Sequence, residues 1–120
     1  MRLRLLQSNW NRFARRDALW AICTEPERSR RRWNVAEFFE TGRRDVDHIF
    51  EMTKALGLDV PTGRALDFGC GVGRLTQSLA TRFDEVVGVD LAPAMVVQAD
   101  SHNRHTQRCA TGYRARSGMR

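Results

Sequence analysis

The sequence predicts an α/β fold in which N-terminal helices lead into a parallel sheet, and two pairs of segments carry that reading. Arg64 to Phe68 (RALDF) is a short apolar run ending in a glycine-rich turn. Glu85 to Asp90 (EVVGVD) is a second run, rich in β-branched residues and buried in pattern. Each is followed by a helical stretch. The first, Gly73 to Phe83, has Leu75, Leu79 and Phe83 on one face, and the second opens with Pro93 in its first turn and runs to about Asp100. Strand, helix, strand, helix over about forty residues is a βαβ unit with a parallel strand pair and a right-handed crossover.

The segments before this unit read as helical. Residues 9–22 place Trp10, Phe13, Asp17 and Trp20 at helical spacing, with Ala14, Leu19 and Ala21 between them. Residues 24–32 (TEPERSRRR) are polar, contain Pro26 and read as a loop. A short helix follows over 34–40 and ends near Gly42. Residues 43–56 form the best amphipathic helix, with Val46, Ile49, Phe50, Thr53 and Leu56 on its apolar face. Gly57 is the expected residue after its end, with Leu58 folding back on the last turn. Trp10, Trp20, Trp33, Phe38 and Phe39 read as core. The chain thus divides into a helical segment over 1–60, a ligand-binding βαβα portion over 61–110, and a tail over 111–120 expected to be disordered for want of apolar residues.

Charge and cysteine content exclude several functions. The net charge of +6 is concentrated at one end: residues 101–120 hold five Arg and no acid, whereas residues 1–100 balance 15 basic against 14 acidic side chains. A nearly neutral body argues against nucleic acid as a partner. No apolar run approaches the ~20 residues of a membrane span, and Met1 to Arg16 lacks the features of a signal peptide. Cys23, Cys70 and Cys109 are odd in number and far apart, which fits a reducing cytoplasm and neither a disulfide framework nor a zinc site. His102 and His105 are spaced H-x-x-H but read as tail residues, so no metal is assigned. Nineteen of the 20 basic residues are Arg, the bias of a high-GC bacterial source.

The chemistry lies in the turn Asp67-Phe68-Gly69-Cys70-Gly71-Val72-Gly73. Alternate glycines let a backbone turn sharply and approach a ligand, and the following helix offers free N–H groups. Asp90 ends the second strand, and in a parallel sheet its carboxylate should lie beside the turn, placed to accept ribose hydroxyls. The rival ligand is a dinucleotide, as in an NAD-dependent oxidoreductase. Its G-x-G-x-x-G fingerprint fails in both frames, with Arg74 or Thr76 at the third-glycine position, and Asp67 would repel a pyrophosphate. S-adenosylmethionine has an ammonium and a sulfonium for Asp67, a carboxylate for the helix start and a ribose for Asp90.

ALDFGCGVGRLTQSLA (Ala65 to Ala80) followed by VVGVDLAPAMV (Val86 to Val96) resembles the class I S-adenosylmethionine-dependent methyltransferases, in the group of type 11 and type 25 methyltransferase domains. FFETG (Phe38 to Gly42) and the helix ending in LGL look like the N-terminal helices of bacterial members. The resemblance implies a Rossmann-like methyltransferase fold, truncated here after the second strand. It implies that Asp67 and the Gly69 backbone hold the methionine amino group. Cys70 belongs to the same cofactor-binding turn, and Gly71 and Gly73 let the methionyl chain pass. Asp90 grips the ribose, and Leu91 and Met95 either pack near the adenine or are plain core. Family members build a seven-stranded sheet, and the acceptor-facing fourth strand has no counterpart, so no catalytic base is named. The reading is therefore a fragment of a cytoplasmic S-adenosylmethionine-dependent methyltransferase acting on a small-molecule acceptor. A noncatalytic S-adenosylmethionine-binding or scaffold fragment is the alternative.

Overall fold

The structure, a computed structural model, describes residues 2–113. Helix α1 (Arg2–Ile22) and helix α2 (Val35–Ala55) precede strand β1 (Arg64–Phe68), helix α3 (Arg74–Leu79), strand β2 (Glu85–Asp90), helix α4 (Pro93–His102) and strand β3 (Cys109–Tyr113). The strands form one parallel sheet in the order β1-β2-β3. The α/β class and the bounds of the first two strands are as the sequence predicts.

The sheet does not stop at the second strand. Residues 109–113 pair with β2 in parallel, Val86 opposite Cys109 and Asp90 opposite Tyr113, so the segment expected to be disordered from 111 onward begins inside a strand. Residues 114–120 of that tail lie outside the described residues. CATGY has little apolar alternation, and its backbone pairs because β2 presents a free edge. Its inward residue is Cys109, which is buried with Ala80, Phe83 and Val86. Asn103 Nδ2 donates to the Cys109 carbonyl at 2.9 Å and secures the turn into the strand.

The two helices expected on either side of Gly42 are one. α2 runs unbroken from Val35 to Ala55 and buries Phe38, Gly42 and Val46. Gly42 is the point of closest approach to α3, where a Cβ would stand 2.2 Å from the Arg74 carbonyl oxygen. The glycine therefore serves packing rather than termination. The inward stripe continues through Phe50 and Thr53, which are half-buried, while Ile49 and Leu56 turn to solvent, contrary to the predicted face. Asn34 caps the start, accepting from Glu37 N at 3.1 Å. Gly57 closes the end at φ +71°, with Leu58 N donating to Thr53 O and Gly57 N to Lys54 O, the two bonds of a Schellman motif.

α1 begins earlier than predicted and is interrupted at Asp17, whose φ of −160° is extended. Asp17 restarts the helix by accepting from Trp20 N, and its other oxygen accepts from Arg31 N at 2.7 Å, anchoring the polar loop. α3 ends at Leu79, shorter than predicted, and gives way to a turn.

α3 and α4 cover one face of the sheet, α2 packs on α3, and α1 packs on α4. On the opposite face Leu66 and Phe68 are exposed, and Val87 and Val89 are half-buried. The core falls into two clusters. One joins Ala14, Ala18, Trp33 and Phe38 of the N-terminal region to Val72, Ala92 and Met95, with Trp10, Trp20 and Phe39 packed at its rim. The other joins Ala80, Phe83, Val86 and Cys109. No helix among the described residues is long and apolar enough to cross a membrane.

Candidate functional site: the glycine turn and its two carboxylates

Parallel pairing puts Asp67 directly opposite Gly88, with Asp90 two residues further along β2. Side chains alternate along a strand, so Asp67, Gly88 and Asp90 share the helix-covered face. The glycine turn leaves β1 between the two acids. Gly69, Gly71 and Gly73 have φ of +80°, +55° and +91°, a left-handed course that a side chain would strain. Gly69 N and Cys70 N both donate to the Val89 carbonyl, at 2.8 and 3.0 Å, so the turn folds back over the end of β2.

Asp90 fixes the turn from the other side. Its Oδ2 accepts from Gly71 N and its Oδ1 from Ala92 N, each at 2.8 Å. The carboxylate thus joins the glycine turn to the start of α4. An ionised carboxylate has about four lone-pair sites, and two of Asp90's are used in this way. Asp67 Oδ2 accepts from Thr76 Oγ1 at 2.6 Å. Its Oδ1 receives no hydrogen bond among the described residues. At Gly69 a Cβ would meet nothing within 4 Å, so the turn is open there. At Gly71 it would meet Ile22 Cδ1 at 2.9 Å, because the end of α1 lies across the turn.

The remaining predicted residues are less open. Cys70 is buried, and burial, followed by the nearby Asp67 and Asp90, pushes its thiol up to about 12. Its side chain is therefore a neutral packing group, and its backbone belongs to the turn. Met95 is 1 % exposed and sits in the core with Trp33 and Phe38. Leu91 is half-buried, and its carbonyl accepts from Gln7 Nε2 at 3.1 Å. Arg74, which breaks the dinucleotide fingerprint, is bound to Asp45 at 2.7 Å and to Thr41 at 3.2 Å, holding α3 to α2. His102 lies against Phe39 with ring centroids 5.3 Å apart and the rings tilted by 60°, and burial lowers its pKa. Among the described residues no three His, Cys, Asp or Glu converge as metal ligands.

Sequence reading missed Thr76 and the α1 side chains. Asn11 Oδ1 accepts from Ala94 N at 3.0 Å, and Gln98 Nε2 donates to Ala14 O at 2.6 Å. These bonds span more than eighty positions and leave no local pattern. Thr76 left no signal of its own, since four of the six residues of α3 are polar.

Two carboxylates at the ends of adjacent parallel strands, with a glycine turn between them that is open at Gly69, can take a cationic group at one end and vicinal hydroxyls at the other. The chain is also similar to known proteins. The family profile described as a methyltransferase domain matches residues 65–116. A ubiquinone biosynthesis O-methyltransferase from Azorhizobium caulinodans is 51% identical over 39 residues, which are 32% of this chain and 15% of that protein. Among solved structures, phosphoethanolamine N-methyltransferase 1 of Haemonchus contortus, in complex with phosphoethanolamine and S-adenosylhomocysteine, superposes with a TM-score of 0.65 at 16% identity. That match covers 95% of this chain and 22% of the other. Magnesium protoporphyrin IX methyltransferase from Synechocystis, with bound S-adenosylhomocysteine, matches at a TM-score of 0.48 and 24% identity over 72% of this chain and 42% of its own. This chain therefore spans only a small part of the length of these relatives. The profile match covers residues 65–116, less than half of the chain, and over 95% of its length the chain shares the Rossmann-like fold of the Haemonchus enzyme.

Proposed function

We propose that the glycine turn binds S-adenosylmethionine and that the protein is an S-adenosylmethionine-dependent methyltransferase with a small-molecule acceptor. The observation that carries this reading is the pairing of Asp67 and Asp90 on one sheet face on either side of the turn. The donor set fits the ligand. Asp67 Oδ1 is available for the ammonium, the Gly69 region is open to the methionyl chain, and Gly71 and Gly73 continue the backbone past it. Asp90 has two acceptor sites left for the ribose hydroxyls, with Leu91 beside it and Met95 behind in the core. S-adenosylmethionine, when bound, supplies an electrophilic methyl on a sulfonium. The residues of this chain bind and orient, and none of them is assigned as catalytic base. The near-neutral body favours a small acceptor over nucleic acid. Three free cysteines suit a cytoplasmic setting.

Titration calorimetry of the folded chain with S-adenosylmethionine, S-adenosylhomocysteine and NAD tests the reading. Saturable binding of the first two and none of NAD is expected. A folded chain that binds neither sulfur ligand would sink it. Incubation with labelled S-adenosylmethionine and a panel of small acceptors then separates an enzyme from a fragment that only binds.

A further inference from the structure

We propose that Thr76 is a positioning residue for the ammonium site, a role that rests on the S-adenosylmethionine reading above. Thr76 is completely buried on α3, and its hydroxyl donates to Asp67 Oδ2 at 2.6 Å. That distance is characteristic of a hydroxyl bonded to an ionised carboxylate. A helical threonine ordinarily returns its hydroxyl to a carbonyl of its own preceding turn. This one crosses to β1 instead.

The crossing requires space, and Gly88 supplies it. Gly88 is the strand partner of Asp67, and a Cβ there would lie 3.1 Å from Thr76 Oγ1 and 3.1 Å from Cys70 Sγ. Thr76 and Cys70 therefore rest on the bare backbone of β2. The Cys70 thiol turns to the Gly71 carbonyl at 3.6 Å, so the Thr76 hydroxyl is the hydrogen-bond donor to Asp67 among the described side chains. Rotation of a carboxylate about its last torsion is soft and two-fold, whereas a β-branched threonine is stiff at χ1. The stiff group orients the soft one. Oδ2 is tied down, Oδ1 is left for the ligand, and the ordering of the carboxylate is complete before binding.

The prediction is specific to one end of the ligand. S-adenosylmethionine and S-adenosylhomocysteine both carry the ammonium, whereas 5′-methylthioadenosine keeps the ribose and adenine and lacks the amino-acid part. In the full chain, Thr76→Val should weaken the first two by about tenfold to a hundredfold, the scale of one hydrogen bond to a charged group. Binding of 5′-methylthioadenosine should change by less than about twofold, and Thr76→Ser should restore all three. Urea titration establishes the folded fraction of each variant, and partial unfolding would lower all three affinities together. If Thr76→Val does not fold, Thr76→Ala removes the same hydroxyl. Equal losses for all three ligands, or no loss for any, would overturn the positioning role while leaving the S-adenosylmethionine site in place. A folded wild-type chain that binds none of the three would overturn both.

Discussion

Replacing Asp90 with alanine should unfold the site before it empties it. The carboxylate accepts from Gly71 N and Ala92 N at 2.8 Å each, and both residues are buried. A hydrogen bond to a charged group contributes about 1.5–3 kcal/mol. Water reaching the half-buried gap recovers part of the loss. The net cost to stability is therefore about 2–4 kcal/mol, a large share of the 5–15 kcal/mol typical of a domain. At an unfolding entropy of about 2.1 cal/mol/K per residue, 120 residues give roughly 250 cal/mol/K, so the melting temperature should fall by about 8–16 °C. Asp90→Asn keeps one acceptor, turns an NH2 toward the other donor and should lose about half as much. Asp84→Ala, exposed in the loop before the same strand, is the control and should change nothing. Urea unfolding reads the effect as a shift of midpoint at constant slope. A loss below about 1 kcal/mol, or one matched by the control, would refute the bridging role. Affinity for S-adenosylmethionine, measured on the folded fraction, should fall by a further ~2–4 kcal/mol through the ribose contacts.

Three further outcomes follow from local geometry. Gly42→Ala gains about 1 kcal/mol of helix propensity. Its Cβ would stand 2.2 Å from the Arg74 carbonyl oxygen, so the clash wins and thermal unfolding should show a net loss of about 2 kcal/mol or more. Ser78 Oγ is buried with no hydrogen-bond partner among the described residues, so Ser78→Ala should leave stability unchanged or raise it by up to ~1 kcal/mol, and a clear loss in urea would contradict this. Cys70, pushed up to about 12, should be about one part in 10⁴ thiolate at pH 8, so iodoacetamide should label half-buried Cys23 first and reach Cys70 only on unfolding. The sign of the linkage follows: a folded value above the ordinary thiol value of ~8.5 gives stability that is complete below that pH and lost as pH rises toward 12. Cys70→Ala should flatten that alkaline decline in a pH series of melting temperatures.

The parts of the fold legible in the sequence are those with a local physical cause. RALDF and EVVGVD read as strands because β-branched and apolar runs bounded by turn residues have few alternatives, and both strands keep the predicted bounds. Alternate glycines announced a sharp turn, which the structure makes with positive φ, and the parallel pairing put Asp90 beside it. The misread parts have causes elsewhere in the chain. Gly42 looked like a helix end because glycine is a poor helix former, and only the approach of Arg74 explains it in mid-helix. CATGY looked structureless because what orders it is the open edge of β2. Ile49 and Leu56 looked inward because a helical stripe has a width, and packing against the rest of the fold takes only part of it.

The same distinction applies to the site. Its acids and glycines are local, and its rigidity is not. Trp33 and Phe38 share a core with Val72 of the glycine turn and with Ala92 and Met95 beyond Asp90. Gln7 and Asn11 bond the backbone at Leu91 and Ala94, and Ile22 lies against Gly71. Helices α1 and α2 are thus a wall of the turn. A turn made of glycines has little intrinsic preference for one conformation, so the packing around it must supply that preference. Here it comes from residues about thirty-five to eighty-five positions upstream, together with the two N–H bonds to Asp90 and the Thr76 bond that orients Asp67. The ligand-facing groups can be read from a motif of a few residues. Whether they are held ready for a ligand depends on α1, α2 and the interior of α3.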